Sequence, residues 1–272
     1  DWYLLPMAAA IWSCPTAQML AYPLSTFLRF CHNHGLLQIL DQPQWMTVRG
    51  GSREYVRRML PGIPDLRLNA PVQGVTRHAD GVDLHTALGT EHFDAIVFAC
   101  HSDQALRILG SGATPAERAV LGAVKYQPNR AVLHTDAALL PKRQNAWAAW
   151  NYLAGEGSPD SRPVSVSYLL NKLQPLPFKS PVVVSLNPFR APDPAKVLAE
   201  FDYDHPVFDA RAIDAQAHLP ALQGQRHTWF AGAWTAYGFH EDGLKSAVDV
   251  AAMLGVVAPW RARSLDLQGV LS

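Results

Sequence analysis

The sequence is poor in cysteine and has no excess of charge of either sign. Its three cysteines, Cys14, Cys31 and Cys100, lie far apart, and their odd number and lack of a C-x-x-C spacing argue against a disulfide framework. This usage favours a reducing, cytoplasmic environment. The 23 lysines and arginines balance the 23 aspartates and glutamates without forming a basic stripe, so nucleic acid is not an expected partner.

The sequence also lacks a long uninterrupted apolar run. Residues 1–30 are rich in apolar side chains, but Pro6, Pro15, Pro23 and Arg29 interrupt them. A membrane-spanning helix needs about 20 mostly apolar residues in succession, and no signal peptide is visible. We therefore expect this stretch to pack inside the protein, with no transmembrane segment.

Several catalytic and metal-binding motifs are absent. None of the 11 histidines belongs to an H-E-x-x-H pair, so no metal site is predicted. No G-x-S-x-G elbow marks a serine hydrolase. Cys100 directly follows an apolar run and is interpreted as a packed thiol rather than a nucleophile.

The 272 residues, of which 49 % are hydrophobic, have the composition of a globular protein with one large domain or two interlocked ones. A helix is predicted from Pro23 to His34, with Gly35 ending it. Another helix is predicted after Gly50 and Gly51, with Ser52 as its N-cap. The inward stripe of this second helix would be Tyr55, Val56 and Met59.

Short alternating runs between Leu66 and Cys100 predict a small antiparallel meander with turns at Asp80-Gly81 and Leu88-Gly89. The continuous apolar run Ala95–Ala99 predicts a parallel strand buried on both faces, followed by a helix. Residues 131–186 contain further strand-like runs and predict a second antiparallel sheet. A proline-rich connection then leads to the C-terminal region.

The stretch FAGAWTAYGFHEDGLKSAVDVAAMLG, Phe230–Gly255, combines a strand, an aromatic loop and a helix. A purely structural interpretation is a helix capped by Asp242 and ended by Gly255. Its inward positions would be Leu244, Ala247, Val248 and Ala251. The functional interpretation is that Gly232 and Gly243 bracket a binding site, because a helix N-terminus offers unpaired N–H groups to a phosphate or an electron-rich heterocycle.

This stretch resembles the C-terminal flavin motif of the superfamily of amine oxidases, protoporphyrinogen oxidases and phytoene desaturases. VRGGSREYVRRML resembles the superfamily's GG-x-x-x-L segment, and APVQGVTRHADGVDLHTALGTEHFDAIVFAC resembles its strand, meander and strand unit. The segments occur in the family's order. The resemblance implies an α/β fold with FAD as cofactor: part of a FAD-binding Rossmann-like domain, with an inserted α+β substrate domain built on an antiparallel sheet.

The resemblance also implies which residues meet FAD. Val72 would lie beside the adenine, and the backbone N–H groups of Glu241 to Leu244 would face the pyrimidine edge of the flavin. His240 is the nearest candidate proton carrier and the predicted catalytic residue, with a loop hydrogen bond as its alternative role. The predicted cofactor-binding residues are Gly50, Gly51, Val72, Ala99, Gly232, Ala233, Trp234, Glu241, Asp242, Gly243 and Leu244. The aromatic residues expected to wall the flavin, or alternatively to pack in the core, are Trp234, Tyr237 and Phe239.

A narrower resemblance covers nearly the whole chain. LPMAAAIWSCP, FCHNHGLLQI, FACHSDQAL, AWAAWNY and GFHEDGL resemble a group of bacterial proteins called predicted NAD/FAD-binding proteins, to which the N-terminal region of plant cyclopropane fatty acid synthases is similar. Members are associated with lipid-modifying methyltransferases. The resemblance therefore implies a hydrophobic, fatty-acyl or other lipid substrate, and such a methyltransferase as a partner.

Two departures from the family pattern bear on the cofactor. Family FAD domains begin with a βαβ unit that carries G-x-G-x-x-G, a motif that this sequence lacks. The chain also opens at Asp1 without an initiator methionine, so we expect the dinucleotide-binding N-terminus to be missing. Ala233 and Trp234 stand where many relatives place an acid, so hydrogen bonds to the ribityl chain would come from the backbone or from elsewhere.

The expected domains are substrate-domain helices over 1–48, an FAD-domain segment over 49–110, the substrate domain over 111–222, the FAD-domain strand and helix over 223–258, and a tail over 259–272. The expected function is that of the C-terminal portion of an FAD-dependent oxidoreductase, inactive alone, which oxidises or desaturates a hydrophobic substrate by hydride transfer to flavin. The alternatives are a non-catalytic lipid- or partner-binding module that has lost the cofactor, and a true amine oxidase.

Overall fold

The computed structural model describes residues 4–12, 19–20, 22–36, 38, 40, 44, 46–155 and 164–260. Cys14 and most of the predicted tail lie outside these residues. None of the helices formed by the described residues is long and apolar enough to cross a membrane.

The described helices and strands occur in runs along the chain, with three helices first and four strands next. The α-helices are α1 (Leu4–Trp12), α2 (Leu24–Asn33), α3 (Arg53–Met59), α4 (Ser102–Leu109), α5 (Pro115–Leu121), α6 (Leu170–Leu173), α7 (Ala210–His218) and α8 (His240–Met253). The strands are β1 (Val72–Arg77), β2 (Val82–Thr86), β3 (Gly89–Phe93), β4 (Ile96–Phe98), β5 (Lys125–His134), β6 (Trp150–Ala154), β7 (Val164–Leu169), β8 (Val183–Leu186), β9 (Val197–Val207) and β10 (Thr228–Phe230).

The chain divides into two compact units. The first unit comprises Asp1–Leu66 and Tyr126–Val207, and the second comprises Arg67–Lys125 and Phe208–Ser272. These boundaries differ from those of the predicted domains, because residues 49–66 group with the first unit, whereas residues 111–125 and 208–222 group with the second. Which segments bind substrate and which bind FAD stays a prediction.

Helices α2 and α3 both form where the sequence predicts them, but the buried face predicted for α3 is wrong. Pro23 precedes α2, and Gly35 follows it with φ +64°, a left-handed conformation that favours glycine. Before α3, Ser52 lies at the predicted N-cap position, but it adopts helical φ and ψ and its side chain makes no capping hydrogen bond. Tyr55, Val56 and Met59 are 37 %, 41 % and 64 % exposed, so the predicted inward stripe is wrong.

The first unit contains a sheet with the strand order β6-β7-β8-β5-β9. The pairs β6–β7, β7–β8 and β5–β8 are antiparallel, which confirms the sheet predicted for residues 131–186. The proline-rich connection predicted to follow it is wrong in part, since it contains β9 and α7. Most residues of strand β9 are exposed, although apolar and acidic residues alternate from Ala199 to Asp204 as they do in a half-buried strand.

A chain of fully buried polar groups crosses this sheet. The His134 ring shares a hydrogen bond of 2.9 Å with Ser185 Oγ, which lies 2.6 Å from Ser167 Oγ. Because the backbone N–H of Asp136 donates to His134 Nδ1 at 3.1 Å, the ring proton lies on Nε2. Burial lowers the pKa of His134, and the imidazole is neutral at pH 7.

The second unit contains the predicted meander and the predicted parallel strand pair. Strands β1, β2 and β3 form an antiparallel sheet. Strand β10 pairs in parallel with β4, with Thr228 opposite Ile96 and Phe230 opposite Phe98. This pairing confirms that the two apolar runs are neighbours in one sheet. Strand β4 is not buried on both faces, however, since Val97 is 41 % exposed.

The outer edge of β10 is closed by a side chain. Ala231 N–H donates to the carbonyl oxygen of Phe98 at 2.9 Å, so the polar backbone groups of Phe230 point away from β4. Gln223 Oε1 accepts the Phe230 N–H at 2.8 Å, and Gln223 Nε2 donates to the Phe230 carbonyl at 2.7 Å. The carboxamide therefore takes the place of a further strand at this edge.

A buried ion pair fixes the amino-terminal end of β10. Arg77 of β1 and Glu117 of α5 pair with 1 % and 3 % of their side chains exposed, and Arg77 also donates to Thr228 Oγ1 and to the Gly112 carbonyl. Glu117 accepts the Thr114 N–H at 2.7 Å, completing a capping box for α5. Burial by itself would raise the pKa of Glu117, but hydrogen bonds from Arg77 and Thr114 outweigh it and hold the pKa below its ordinary value.

Candidate functional site

The candidate site lies at the carboxyl ends of β4 and β10. Because these strands are parallel, both end at the same edge of the sheet, where Cys100 follows β4 and Gly232 follows β10. Ligands of open α/β sheets bind outside this edge. Ala99, one of the predicted cofactor-binding residues, is exposed here.

Gly232 adopts a conformation that requires glycine. Its φ is +149°, and a Cβ atom added there would lie 2.9 Å from two ring atoms of Trp234. Trp234 is 3 % exposed, and its indole N–H donates to the Cys100 carbonyl at 3.1 Å. Trp234 therefore packs inside the loop that follows β10, in agreement with the core-packing alternative.

Side chains from neighbouring elements hold this aromatic loop in place. Gln216 of α7 donates to the carbonyls of Trp234 and Ala236 at 2.9 and 2.8 Å. Thr235 Oγ1 donates to the Gly232 carbonyl at 2.8 Å. The turn between strand and helix is thus ordered by polar contacts on the side of α7.

Helix α8 begins at His240, two residues before the predicted N-cap. Asp242 caps the helix from its third position, because its Oδ2 atom accepts the N–H groups of Tyr237 and Phe239 at 3.2 and 3.0 Å. The predicted inward stripe is wrong, since Leu244 and Ala247 are exposed. Gly255, with φ +80°, follows the helix as predicted.

The side of α8 that meets the strand end carries small residues. Gly232 N–H donates to Ser246 Oγ at 2.9 Å, and Ser246 Oγ donates to the Gly243 carbonyl at 2.7 Å. A Cβ atom on Gly243 would lie 3.6 Å from the backbone nitrogen of Ala233. The predicted residues Gly232, Ala233 and Gly243 therefore lie together at one point.

The first turn of α8 offers fewer N–H groups than predicted. Asp242 and Gly243 both donate to the Phe239 carbonyl, at 3.0 and 3.2 Å, so these two groups are already bonded within the chain. Glu241 and Asp242 place acids in this turn, and their charge offsets the positive end of the helix dipole. The terminus consequently suits the edge of an uncharged ring better than it suits a phosphate.

The remaining predicted residues are spread over both units. Val72 is the first residue of β1, just before a register shift in its pairing with β2. His240 is exposed at the first position of α8. Gly50 and Gly51 belong to the first unit and have φ +84°. Their contact with FAD, like that of the other predicted residues, stays a prediction.

The chain belongs to the flavin containing amine oxidoreductase family, whose model matches residues 8–177. FAD is the cofactor of this family. The glycines, the exposed strand end and the helix terminus at the edge of the β4–β10 sheet fit the edge of a flavin ring. No curated protein matches the chain.

Solved structures with low sequence identity share the fold. A CLA-producing fatty acid isomerase from P. acnes matches with a TM-score of 0.52 and 14 % identity, over 75 % of this chain and 52 % of that one. A protein from Exiguobacterium sp. 255-15 named as a candidate protoporphyrinogen oxidase matches with a TM-score of 0.52 and 12 % identity, over 85 % and 58 % of the two chains. Putrescine oxidase bound to putrescine matches with a TM-score of 0.51 and 13 % identity, over 76 % and 53 %. The chain spans little more than half the length of these structures.

Proposed function

We propose that the chain is part of an FAD-dependent oxidoreductase that oxidises or desaturates a hydrophobic substrate by hydride transfer to flavin. The observation that carries this proposal is the parallel pair β4–β10, whose carboxyl ends meet the N-terminus of α8 at Gly232 and Gly243. Together with the family membership of residues 8–177 and the resemblance of Phe230–Gly255 to the flavin motif, this arrangement supports a flavin site at that edge.

The residues of this chain would bind and orient the cofactor. FAD, when bound, supplies the acceptor for the hydride. Gly232, Ala233 and Gly243 allow the strand end and the start of α8 to pack closely with little side-chain bulk. The partly exposed backbone of this junction would meet the ring edge. Ser246 and Gln216 hold that backbone in place through the hydrogen bonds to Gly232, Trp234 and Ala236.

His240 would carry a proton at this edge. It occupies the first position of α8 and is exposed, so its side chain is accessible to solvent. Histidine is the side chain that most often serves as a general acid or base. Replacing His240 with Gln would remove this proton carrier and preserve the hydrogen-bonding capacity of the side chain.

The chain would contribute only part of the FAD domain. The outer edge of β10 is closed by Gln223, whereas Val97 of β4 is exposed and has its backbone polar groups directed away from β10. A further parallel strand would pair at this open edge, and a βαβ unit with the glycine-rich turn absent from this sequence would supply it. The chain alone would then be inactive.

The substrate would be a fatty-acyl or other lipid chain, and the partner would be a lipid-modifying methyltransferase. Both proposals rest on the resemblance of segments such as GFHEDGL and FACHSDQAL to the bacterial group described above. The name of the P. acnes enzyme, a fatty acid isomerase, agrees with a lipid substrate in a protein of this fold. A cytoplasmic location is proposed from the number and spacing of the three cysteines.

The proposed function is tested by purifying the full-length protein and recording its visible spectrum. A flavin spectrum that bleaches when a fatty acid is added without oxygen is the expected result, with a primary amine of equal chain length as the comparison. Bleaching by the amine alone would identify an amine oxidase. A colourless protein that takes up no added FAD would support the non-catalytic alternative and overturn the proposal.

A further inference from the structure

A groove in the first unit has an apolar lining and a volume of about 240 Å³. It lies between the turn after β5, strands β6 and β7, and the loop after β8. Leu139 and Leu140 are 3 % and 4 % exposed, and Leu140 belongs to a core cluster with Leu169 and Val183. The floor of the groove is therefore part of the rigid core of the sheet.

Two cationic side chains, Lys142 and Arg190, also line this groove. Among the described residues neither forms an ion pair with a carboxylate, and no acidic residue lines the groove. Another groove of the same unit differs, because its Arg130 is paired with Glu200 at 2.6 Å. The described lining of this groove therefore combines positive charge with apolar surface.

We propose that this groove binds an anionic amphiphile, namely an unbranched alkyl chain that ends in a carboxylate. The apolar residues Leu153, Pro188 and Phe189 would cover the chain, and Lys142 and Arg190 would contact the carboxylate. Arginine binds carboxylates through paired N–H donors, which lysine supplements with a point charge. Lys142 and Arg190 would attract a carboxylate, whereas they would repel an ammonium group of the same size.

The volume limits the length of the chain that the groove covers. At about 30 Å³ for each water-sized group, 240 Å³ holds about eight such groups. Each covered methylene should raise the affinity about fourfold, so affinity should rise from hexanoate to decanoate and then level off. The proposal goes beyond the proposed function and does not depend on it, since none of the residues that line the groove belongs to the proposed flavin site.

Isothermal titration of the 272-residue chain with decanoate, in the absence of FAD, tests the proposal. Decanol and decylamine serve as neutral and cationic comparisons, and decyl phosphate distinguishes a carboxylate site from a phosphate site. Decanoate should bind at least about tenfold more tightly than decylamine, since exposed charges contribute roughly two- to fivefold each. The same ranking should hold in the flavin-loaded protein.

The variant Lys142→Gln/Arg190→Gln removes both charges from exposed positions, and Lys179→Gln is the matched control because Lys179 is an exposed lysine outside the groove. The double variant should bind decanoate about five- to twentyfold more weakly, whereas the control should bind it as the parent chain does. Circular dichroism checks that each variant is folded. Equal affinity for decanoate and decylamine, tighter binding of decyl phosphate than of decanoate, an unaffected double variant, or no binding of decanoate would each overturn the proposal.

Discussion

Removal of Arg77 from its buried ion pair should destabilise the second unit strongly. In Arg77→Met, Glu117 stays buried with its side chain 3 % exposed and loses the guanidinium that compensates its charge. Breaking a buried pair on one side costs about 3–5 kcal/mol, a large part of the roughly 5–15 kcal/mol that stabilises a typical domain. The contact between β1, α5 and the start of β10 would be lost at the same time.

The double variant Arg77→Met/Glu117→Gln separates the charge from the packing. The carboxamide that replaces the Glu117 carboxylate would still accept the Thr114 N–H and keep the capping box of α5, so most of the lost stability should return. In the parent chain the folded-state pKa of Glu117 is lowered. Its contribution is therefore present above the unfolded pKa near 4.5 and disappears as the pH falls through the folded value.

Amide hydrogen exchange measured by mass spectrometry reports this loss unit by unit. Peptides that contain β1 and β10 should lose protection equivalent to about 3–5 kcal/mol in Arg77→Met, and peptides from β7 in the first unit provide the internal reference. A loss below about 1 kcal/mol at pH 7 would refute the reasoning. So would a double variant that is no more stable than the single variant.

Further predictions concern both units and the cofactor. Gln223→Leu should cost about 1–3 kcal/mol in β10, because the polar backbone groups of the fully buried Phe230 lose their partner; unchanged exchange of the Phe230 amide would contradict this. The sheet of the first unit should lose stability as the pH falls through about 6.5, because the buried His134 has a lowered folded-state pKa and the unfolded chain takes up the proton first. An acid titration followed by hydrogen exchange would contradict this if the stability of the sheet showed no decrease near that pH. Asp136, whose pKa is lowered to about 2 by backbone hydrogen bonds and Lys196, should add a separate step below pH 4. Titration of the chain alone with FAD should show weak binding, because the sequence has no glycine-rich turn for the diphosphate, and tight stoichiometric binding would contradict this.

The strand pairing at the candidate site could be predicted from the sequence. Short apolar runs that end in glycine or polar loops identified β4 and β10, and their parallel pairing follows from that pattern. The capping box of α5 has a local signal in Thr114-Pro115-Ala116-Glu117. The pairing of Glu117 with Arg77 has none, since it depends on residues 40 positions apart.

Other parts of the site had no local signal. Gln216 and Gln223 contact backbone groups of the strand and loop only because the fold brings them together. A glutamine in a helix or turn has no local sequence pattern from which such contacts could be predicted. The sequence H-E-D-G allows more than one cap, and the structure selects the third helical position because Asp242 reaches back to Tyr237 and Phe239. The exposed face of α3 was misjudged because helical periodicity shows which side chains share a face but not whether another element covers it.

The flavin content of Gly243 variants tests the proposed flavin site most directly. Gly243→Ala places a Cβ atom 3.6 Å from the Ala233 nitrogen, which is an ordinary contact. We expect the additional methyl groups of Gly243→Val to press on the same backbone and displace the start of α8. Each substitution is made in the full-length protein, and the ratio of flavin absorbance to protein absorbance is measured after gel filtration. This ratio should be unchanged in Gly243→Ala and in the control Cys100→Ala. It should fall to near zero in Gly243→Val. Circular dichroism must show that each variant is folded. A folded Gly243→Val protein with its full flavin content would contradict the placement of the cofactor at Gly232 and α8.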